Sequence, residues 1–134
     1  MRFGVHVNRT GGLMNALEAA RDLGCDTIQI FSRSPRSLRP GSTSEEEASK
    51  FRQGLAALGI RPLVIHAPYL LNLASPKEEI YGLSVDALTH DISLARAVGA
   101  DYLAFHPGSH LGSGEEDGIR RIAGAILKAC EETD

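Results

Sequence analysis

The chain has 134 residues, the length of one domain, with 43% apolar and 23% charged residues, the balance of a globular protein and not of a disordered one. No apolar run approaches the ~20 residues of a membrane span, and the opening MRFGVHV leads into a strand pattern without a signal-peptide architecture, so no membrane partner and a cytoplasmic location are expected. Two cysteines, Cys25 and Cys130, each in a helix-like stretch, make no disulfide framework, and a net charge of −3 counts mildly against nucleic acid while leaving room for a local basic patch.

Phe3–Val7 is a short apolar run that reads as the first strand. A helix is expected from about Gly12 to Leu23, with Leu13, Ala16, Leu17 and Ala20 on one face and Gly24 as its stop. Thr27–Phe31 is the second strand. After it, residues 32–44 are rich in Ser, Pro, Arg and Gly, a long loop that carries Arg33, Arg36 and Arg39 at a spacing of three. Taken alone, that basic cluster reads as a solvated loop. The next helix starts near Thr43 or Ser44, where Glu46 and Glu47 suit the positive end of the helix dipole. Phe51, Leu55 and Leu58 mark its buried stripe, and Gly59 ends it. Leu63–His66 is the third strand, followed by a helix from about Pro76 to Val98 whose apolar positions include Ile80, Leu83, Leu88, Ile92 and Leu94. Tyr102–His106 is the fourth strand. A last helix spans about Glu115–Glu131, with Ile119, Ile122, Ile126 and Leu127 inward.

Strand and helix alternate, which implies an α/β fold with a parallel sheet and right-handed crossovers. Strand starts recur at intervals near the ~30 residues of a βα unit, matching a (β/α) TIM-type barrel. Four units are half of an eight-unit barrel. Residues 1–134 read as a fragment, or as one half of an assembly whose edge strands need cover.

In such folds function gathers at the carboxyl ends of the strands. Three of the four strands end in or near a histidine: His6 in GVHV, His66 in VIHAPY and His106 in AFHPGSH. Three imidazoles at equivalent strand ends converge on one face, an arrangement that packing alone does not explain, and neutral imidazole is a common zinc ligand. Pro68 and Pro107 stiffen the exits after His66 and His106. The segment Pro107-Gly108-Ser109 can also offer backbone N–H groups to an anion. His90 lies in a helix and reads as structural, while His110 either orients a ligand from outside the metal shell or faces solvent. CxxC, HExxH, GxGxxG and Walker A patterns are absent.

FHPGSH at Phe105–His110, HAPYLLNLASP at His66–Pro76, the opening GVHVNRTGGL and IQIFSRSPRSLRP fall in the order and spacing of one family. The chain resembles endonuclease IV, zinc-dependent AP endonucleases of TIM-barrel fold, over the first half of that family's length. The resemblance implies hydrolysis of the phosphodiester 5′ to abasic sites in double-stranded DNA, leaving a 3′-hydroxyl, by monomers carrying a trinuclear zinc cluster. It implies that His66 and His106 are catalytic ligands of a single Zn²⁺ and that His6 is a neighbour outside the ligand set. It also implies that Arg36 and Tyr69 enter the DNA and help flip the abasic nucleotide, which would make Arg33–Arg39 a DNA-reading loop. Ser34 and Leu38 depart from the family's usual Asn and aromatic residue at those positions. The remaining ligands belong to the second half, so this half alone is expected to be inactive. A metal-dependent sugar isomerase or epimerase of related barrel fold is the alternative enzyme; a non-catalytic half-barrel binding module is the other.

Overall fold

Strands and helices alternate along the computed structural model, which describes residues 1–133. In chain order they are β1 (Gly4–His6), α1 (Leu13–Asp22), β2 (Thr27–Phe31), α2 (Glu45–Leu58), β3 (Leu63–His66), α3 (Glu78–Val98), β4 (Tyr102–Ala104) and α4 (Glu115–Glu131). The sheet runs β1-β2-β3-β4 with every neighbour parallel. That order never reverses, so right-handed crossovers put the helices on one face. They pack in sequence, α1 on α2, α2 on α3, α3 on α4. A doubly wound sheet would carry helices on both faces; this is the half-barrel that the sequence pattern implies.

Burial along the strands records the two faces. Ile28, Ile30, Leu63 and Ile65 point under the helices and are buried. Thr27, Gln29, Phe31, Val64 and His66 alternate with them on the open face and remain half-buried. One core cluster joins these inward residues to Leu13, Ala16, Ala20, Phe51, Leu55 and Val98. A second lies under α3 and α4, around Leu71, Leu73, Val85, Leu88, Ala125 and Ala129. Each fully buried Phe or Leu contributes roughly 1.5–3 kcal/mol relative to exposure, so α1 and α2 are fastened to the sheet mainly by this packing.

Helix ends follow the sequence closely. Ser44 caps α2, its Oγ accepting from Glu47 N at 3.1 Å. The Glu47 carboxylate does not fold back onto Ser44: it accepts from Leu13 N at 2.8 Å and so caps α1 from the neighbouring helix. Gly24, Gly59 and Gly99 take φ of 66°, 66° and 69° just past three helix ends, the left-handed turn that glycine makes without a Cβ penalty.

Several expectations are corrected. β4 stops at Ala104, leaving His106 two residues beyond the ladder. β1 covers only Gly4–His6, and α3 starts at Glu78. Cys25 sits in the turn before β2, not in a helix. Ile119 and Leu127 are 66% and 64% exposed, and Leu58, Ile80 and Leu83 are also exposed. The fully buried residues of α4 are small, Gly118, Ala125 and Ala129; Ala125 and Ala129 join the second core cluster with Ile122 and Ile126 packed against it, while Gly118 lies against His110 and Ala74. A helix with one helical neighbour buries one flank of a broad apolar stripe and leaves the other open.

The amino ends of the strands are tied by polar contacts. Asp26 Oδ2 accepts from Phe3 N at 3.0 Å, and Asp101 Oδ2 accepts from Leu63 N at 2.9 Å, so the residue before a strand pins the start of its neighbour. The Leu63 N–H holds Asp101 below the ordinary aspartate range, with Arg61 adding to the effect. Arg2 donates to the carbonyls of Gly59 and Arg61, and Arg52 donates to the Ala97 carbonyl, which lies in the last turn of α3. Among the described residues, no helix is long and apolar enough to cross a membrane.

Candidate metal centre

The strand register builds the site. His6 pairs with Gln29 across β1 and β2, Phe31 pairs with His66 across β2 and β3, and His66 pairs with Ala104. His6, Phe31 and His66 therefore leave the sheet at its carboxyl end on the face without helices. The Ala67-Pro68-Tyr69 turn then brings the Tyr69 ring over them. Phe31 lies with its ring centroid 4.3 Å from His6 and 5.3 Å from His66. Tyr69 lies 5.3 Å from Phe31, 5.6 Å from His66 and 5.7 Å from His106. His66 and His106 are 5.3 Å apart, His6 and His66 6.3 Å. The expected convergence of three imidazoles is what the fold produces. Burial, and then the neighbouring His66, lower the pKa of His6, which favours a neutral ring.

The chemistry of these side chains fits one zinc ion at His66 and His106. His66 Nδ1 lies 2.6 Å from the Ala67 carbonyl oxygen. A carbonyl only accepts, so Nδ1 carries the proton and Nε2 keeps its lone pair for a metal. Two imidazoles on one tetrahedral zinc, with Zn–N of about 2.0–2.1 Å, have ring centroids roughly 5 Å apart. The observed 5.3 Å matches that spacing. Among the described residues, no group of three or more His, Cys, Asp or Glu side chains is placed to hold a metal.

The loops that carry these residues are locked together. Asn72 Oδ1 accepts from Ser109 N at 2.9 Å, and Leu73 N donates to the Pro107 carbonyl at 2.9 Å. Asn72 N in turn donates at 3.0 Å to Ser84 Oγ, which is fully buried in α3. The stretches around His66 and His106 are thus latched to each other. Of the groups in residues 107–109 expected to face an anion, the Ser109 N–H is engaged by this latch. His110 neither approaches the ring cluster nor only faces solvent: its Nδ1 accepts from Gly112 N and Gly114 N, both at 3.2 Å, and shapes the turn into α4. His90 is exposed on α3, away from the strand ends.

The basic loop divides in two. Arg33 is buried, 8% exposed. Its guanidinium donates to the Leu38 and Ala87 carbonyls, each at 2.9 Å, and pairs with the fully buried Asp91 of α3. Burial pushes the Asp91 pKa up, opposed by Ser32 and Arg33. Arg33 is therefore a clasp and not part of a solvent-facing patch. Arg36 and Arg39 remain exposed on the loop it holds. Tyr69 N donates to the Pro35 carbonyl at 3.0 Å and ties this loop to the Tyr69 turn. Beside His6, a groove of about 530 Å³ opens between Asn8, Arg9, Thr10, Phe31, Ser34 and Pro35. Arg9 supports its wall, donating to the Ser32 carbonyl at 2.9 Å and to Thr43 Oγ1 at 3.3 Å. Sequence reasoning missed Gln29, Phe31, Asn72 and Asp91 as parts of the site. For Gln29 the signal was present: an amide alternating with Ile28 and Ile30 in an otherwise apolar strand.

Parallel βα units in sequential order, with imidazoles gathered at the strand exits, define half of a (β/α) barrel. The chain belongs to the Xylose isomerase-like TIM barrel family, which it matches over residues 17–134. It is 43% identical over 134 residues to a protein named probable endonuclease 4 from Methanosphaerula palustris, a match covering 100% of this chain and 47% of the relative. The corresponding protein of Halothermothrix orenii is 39% identical over 126 residues, covering 94% and 45%. The solved structure of endonuclease IV from Thermus thermophilus superimposes with a TM-score of 0.88 at 37% identity, covering 99% of this chain and 47% of that one. The chain spans about half the length of the curated relatives it matches. An L-ribulose 3-epimerase shares the fold, with a TM-score of 0.68 at 22% identity over 98% of this chain and 46% of that one.

Proposed function

We propose that this chain is the N-terminal half of a DNA-repair endonuclease that hydrolyses the phosphodiester 5′ to abasic sites, leaving a 3′-hydroxyl. The observation that carries the reading is the His66–His106 pair, with ring centroids 5.3 Å apart, in a chain 43% identical to a probable endonuclease 4. His66 and His106 hold one Zn²⁺ of a cluster whose other ligands come from the second half-barrel. Bound there, zinc supplies Lewis acidity toward the phosphoryl group and a water acidic enough to attack at neutral pH. Manganese is an alternative occupant of the same ligands. Arg36 and Arg39 give the cleft its positive charge toward phosphates. Tyr69, 58% exposed beside the histidines, offers an aromatic face on which a base or sugar can stack while the abasic nucleotide is turned out of the helix. The epimerase likeness supports the fold alone, and two exposed arginines beside the cleft suit a phosphate backbone better than a neutral sugar.

The test is a duplex with a single abasic site, incubated with the barrel completed by its second half. Cleavage 5′ to the lesion is expected, and His106→Ala should remove zinc and cleavage together. Full zinc content with undiminished cleavage in that variant would sink the reading. The 134-residue chain alone should cut little or not at all, because a catalytic zinc needs about three protein ligands and a water.

A further inference from the structure

Neutral imidazole has one N–H and one lone pair, and the partner of the first nitrogen decides which of them the second offers. His66 Nδ1 faces the Ala67 carbonyl at 2.6 Å and must carry the proton. His6 Nδ1 faces a donor instead, the Gln29 Nε2 amide at 2.7 Å. It therefore accepts, and its proton sits on Nε2. Gln29 is directly opposite His6 in the β1–β2 register, on a half-buried position of the open face, so the contact is fixed by the sheet. Phe31 fills the space between the two rings, 4.3 Å from His6 and 5.3 Å from His66.

We infer that His6 and His66 are held in opposite tautomers, and that Gln29 is the positioning residue that makes His6 a hydrogen-bond donor to an anionic oxygen at the site and not a metal ligand. His66 presents a lone pair to a cation, while His6 presents Nε2–H to the negative group that the cation attracts. Under the function proposed above, on which this step rests, that group is a non-bridging oxygen of a DNA phosphate. A charge-assisted hydrogen bond of this kind orients the phosphate without competing for the metal.

Proton–nitrogen correlation spectra of the histidine rings of this chain decide the point, recorded well above the imidazole titration range and without metal. His6 should show a protonated Nε2 and a bare Nδ1; His66 should show the reverse. Gln29→Glu replaces the donor with a carboxylate that only accepts, and should move the His6 proton to Nδ1 while leaving His66 unchanged. Excess inorganic phosphate should shift the His6 Nε2–H signal in the wild type and not in that variant. Like tautomers in the two rings, a His6 tautomer indifferent to Gln29→Glu, or no phosphate shift would each overturn the inference. Zinc added afterwards should move Nε2 of His66 and not Nε2 of His6; coordination by His6 also overturns it. Failure of zinc to move His66 and His106 overturns the metal reading alone, because the tautomers are read before metal is added.

Discussion

The two ends of the same four strands are built on opposite plans. At the amino ends, charged side chains are engaged within the chain: Asp26 and Asp101 cap strand N–H groups, Arg61 pairs with Asp101, Arg2 donates to the carbonyls of the turn after α2, and Arg52 to a carbonyl in the last turn of α3. At the carboxyl ends, rings of His6, Phe31, His66, Tyr69 and His106 lean on one another, and each assigned imidazole keeps a nitrogen to offer. Barrels divide stability and function between these faces. Here the division extends one layer down, because the carboxyl-end loops have their own anchors, Arg33–Asp91 and Asn72–Ser109. If that division is right, substitutions in the anchors and at the amino ends cost stability, and substitutions of the rings do not.

The largest effect should come from Asp91→Ala. It leaves the buried Arg33 guanidinium without its countercharge, a loss of about 3–5 kcal/mol for a broken buried pair. Urea unfolding measures it. The double replacement Arg33→Met with Asp91→Leu should recover most of that loss, since no charge then remains buried. An additive double variant, worse than Asp91→Ala, would show that Arg33 holds the loop through its bonds to the Leu38 and Ala87 carbonyls.

Gly108→Ala comes next. Gly108 has φ of 97°, and a Cβ there would stand 2.1 Å from Asn72 Oδ1 and 2.6 Å from Asn72 Cα. We expect a loss of roughly 1–3 kcal/mol from backbone strain. Hydrogen exchange should quicken at the Leu73 and Ser109 amides while the β2–β3 ladder keeps its protection. Uniformly faster exchange would mean that the latch is part of the global core and not a local support for the histidine loops.

Asp101→Asn probes the amino end. A carboxylate whose folded pKa is lowered contributes stability that is present above its unfolded value, near 3.8, and lost as pH falls through the folded one. The variant should lose about 1 kcal/mol at neutral pH, and the gap from wild type should close in acid below that value. A gap independent of pH would assign the effect to geometry and not to charge.

Much of this plan was legible in the sequence, for local reasons. Gly24, Gly59 and Gly99 mark helix ends because their left-handed φ is a local requirement, and Ser44 marks a cap because it bonds three residues on. The histidines at strand ends were legible because strand period and strand end are local too. What escaped depends on distant partners. Arg33 reads as a solvated loop arginine until Asp91, 58 residues away, closes over it. Asn72 and Ser109 lie in two loops that meet only in the fold. Ile119 and Leu127 carry the right helical period, but periodicity says that a stripe is apolar without saying which flank finds a neighbour. The pattern extends β4 through His106 because AFH continues its apolar run; the ladder ends at Ala104, and His106 is held where it is by the Pro107–Leu73 bond of the latch.

The smallest stability effect should fall where the chemistry is concentrated. His66 is half-buried and His106 exposed, with neighbours that are mostly other rings of the cluster. His106→Ala should change unfolding stability by no more than about 0.5 kcal/mol, the usual range for surface substitutions. His66→Ala should cost slightly more, since it also loses the contact with Phe31 and the bond to the Ala67 carbonyl. Zinc separates the two roles. A ligand that binds only the folded chain stabilises it by RT ln(1 + [L]/Kd), so saturating zinc should raise the unfolding midpoint of the wild type, while either alanine variant should lose that increment. Removing the metal with a chelator should return the wild type to the midpoint of His106→Ala, within the ~0.5 kcal/mol of that substitution, and slightly above that of His66→Ala. If His106→Ala instead destabilised the metal-free chain as much as Asp91→Ala, the carboxyl-end rings would be structural. The contrast between the two ends would then be one of composition only.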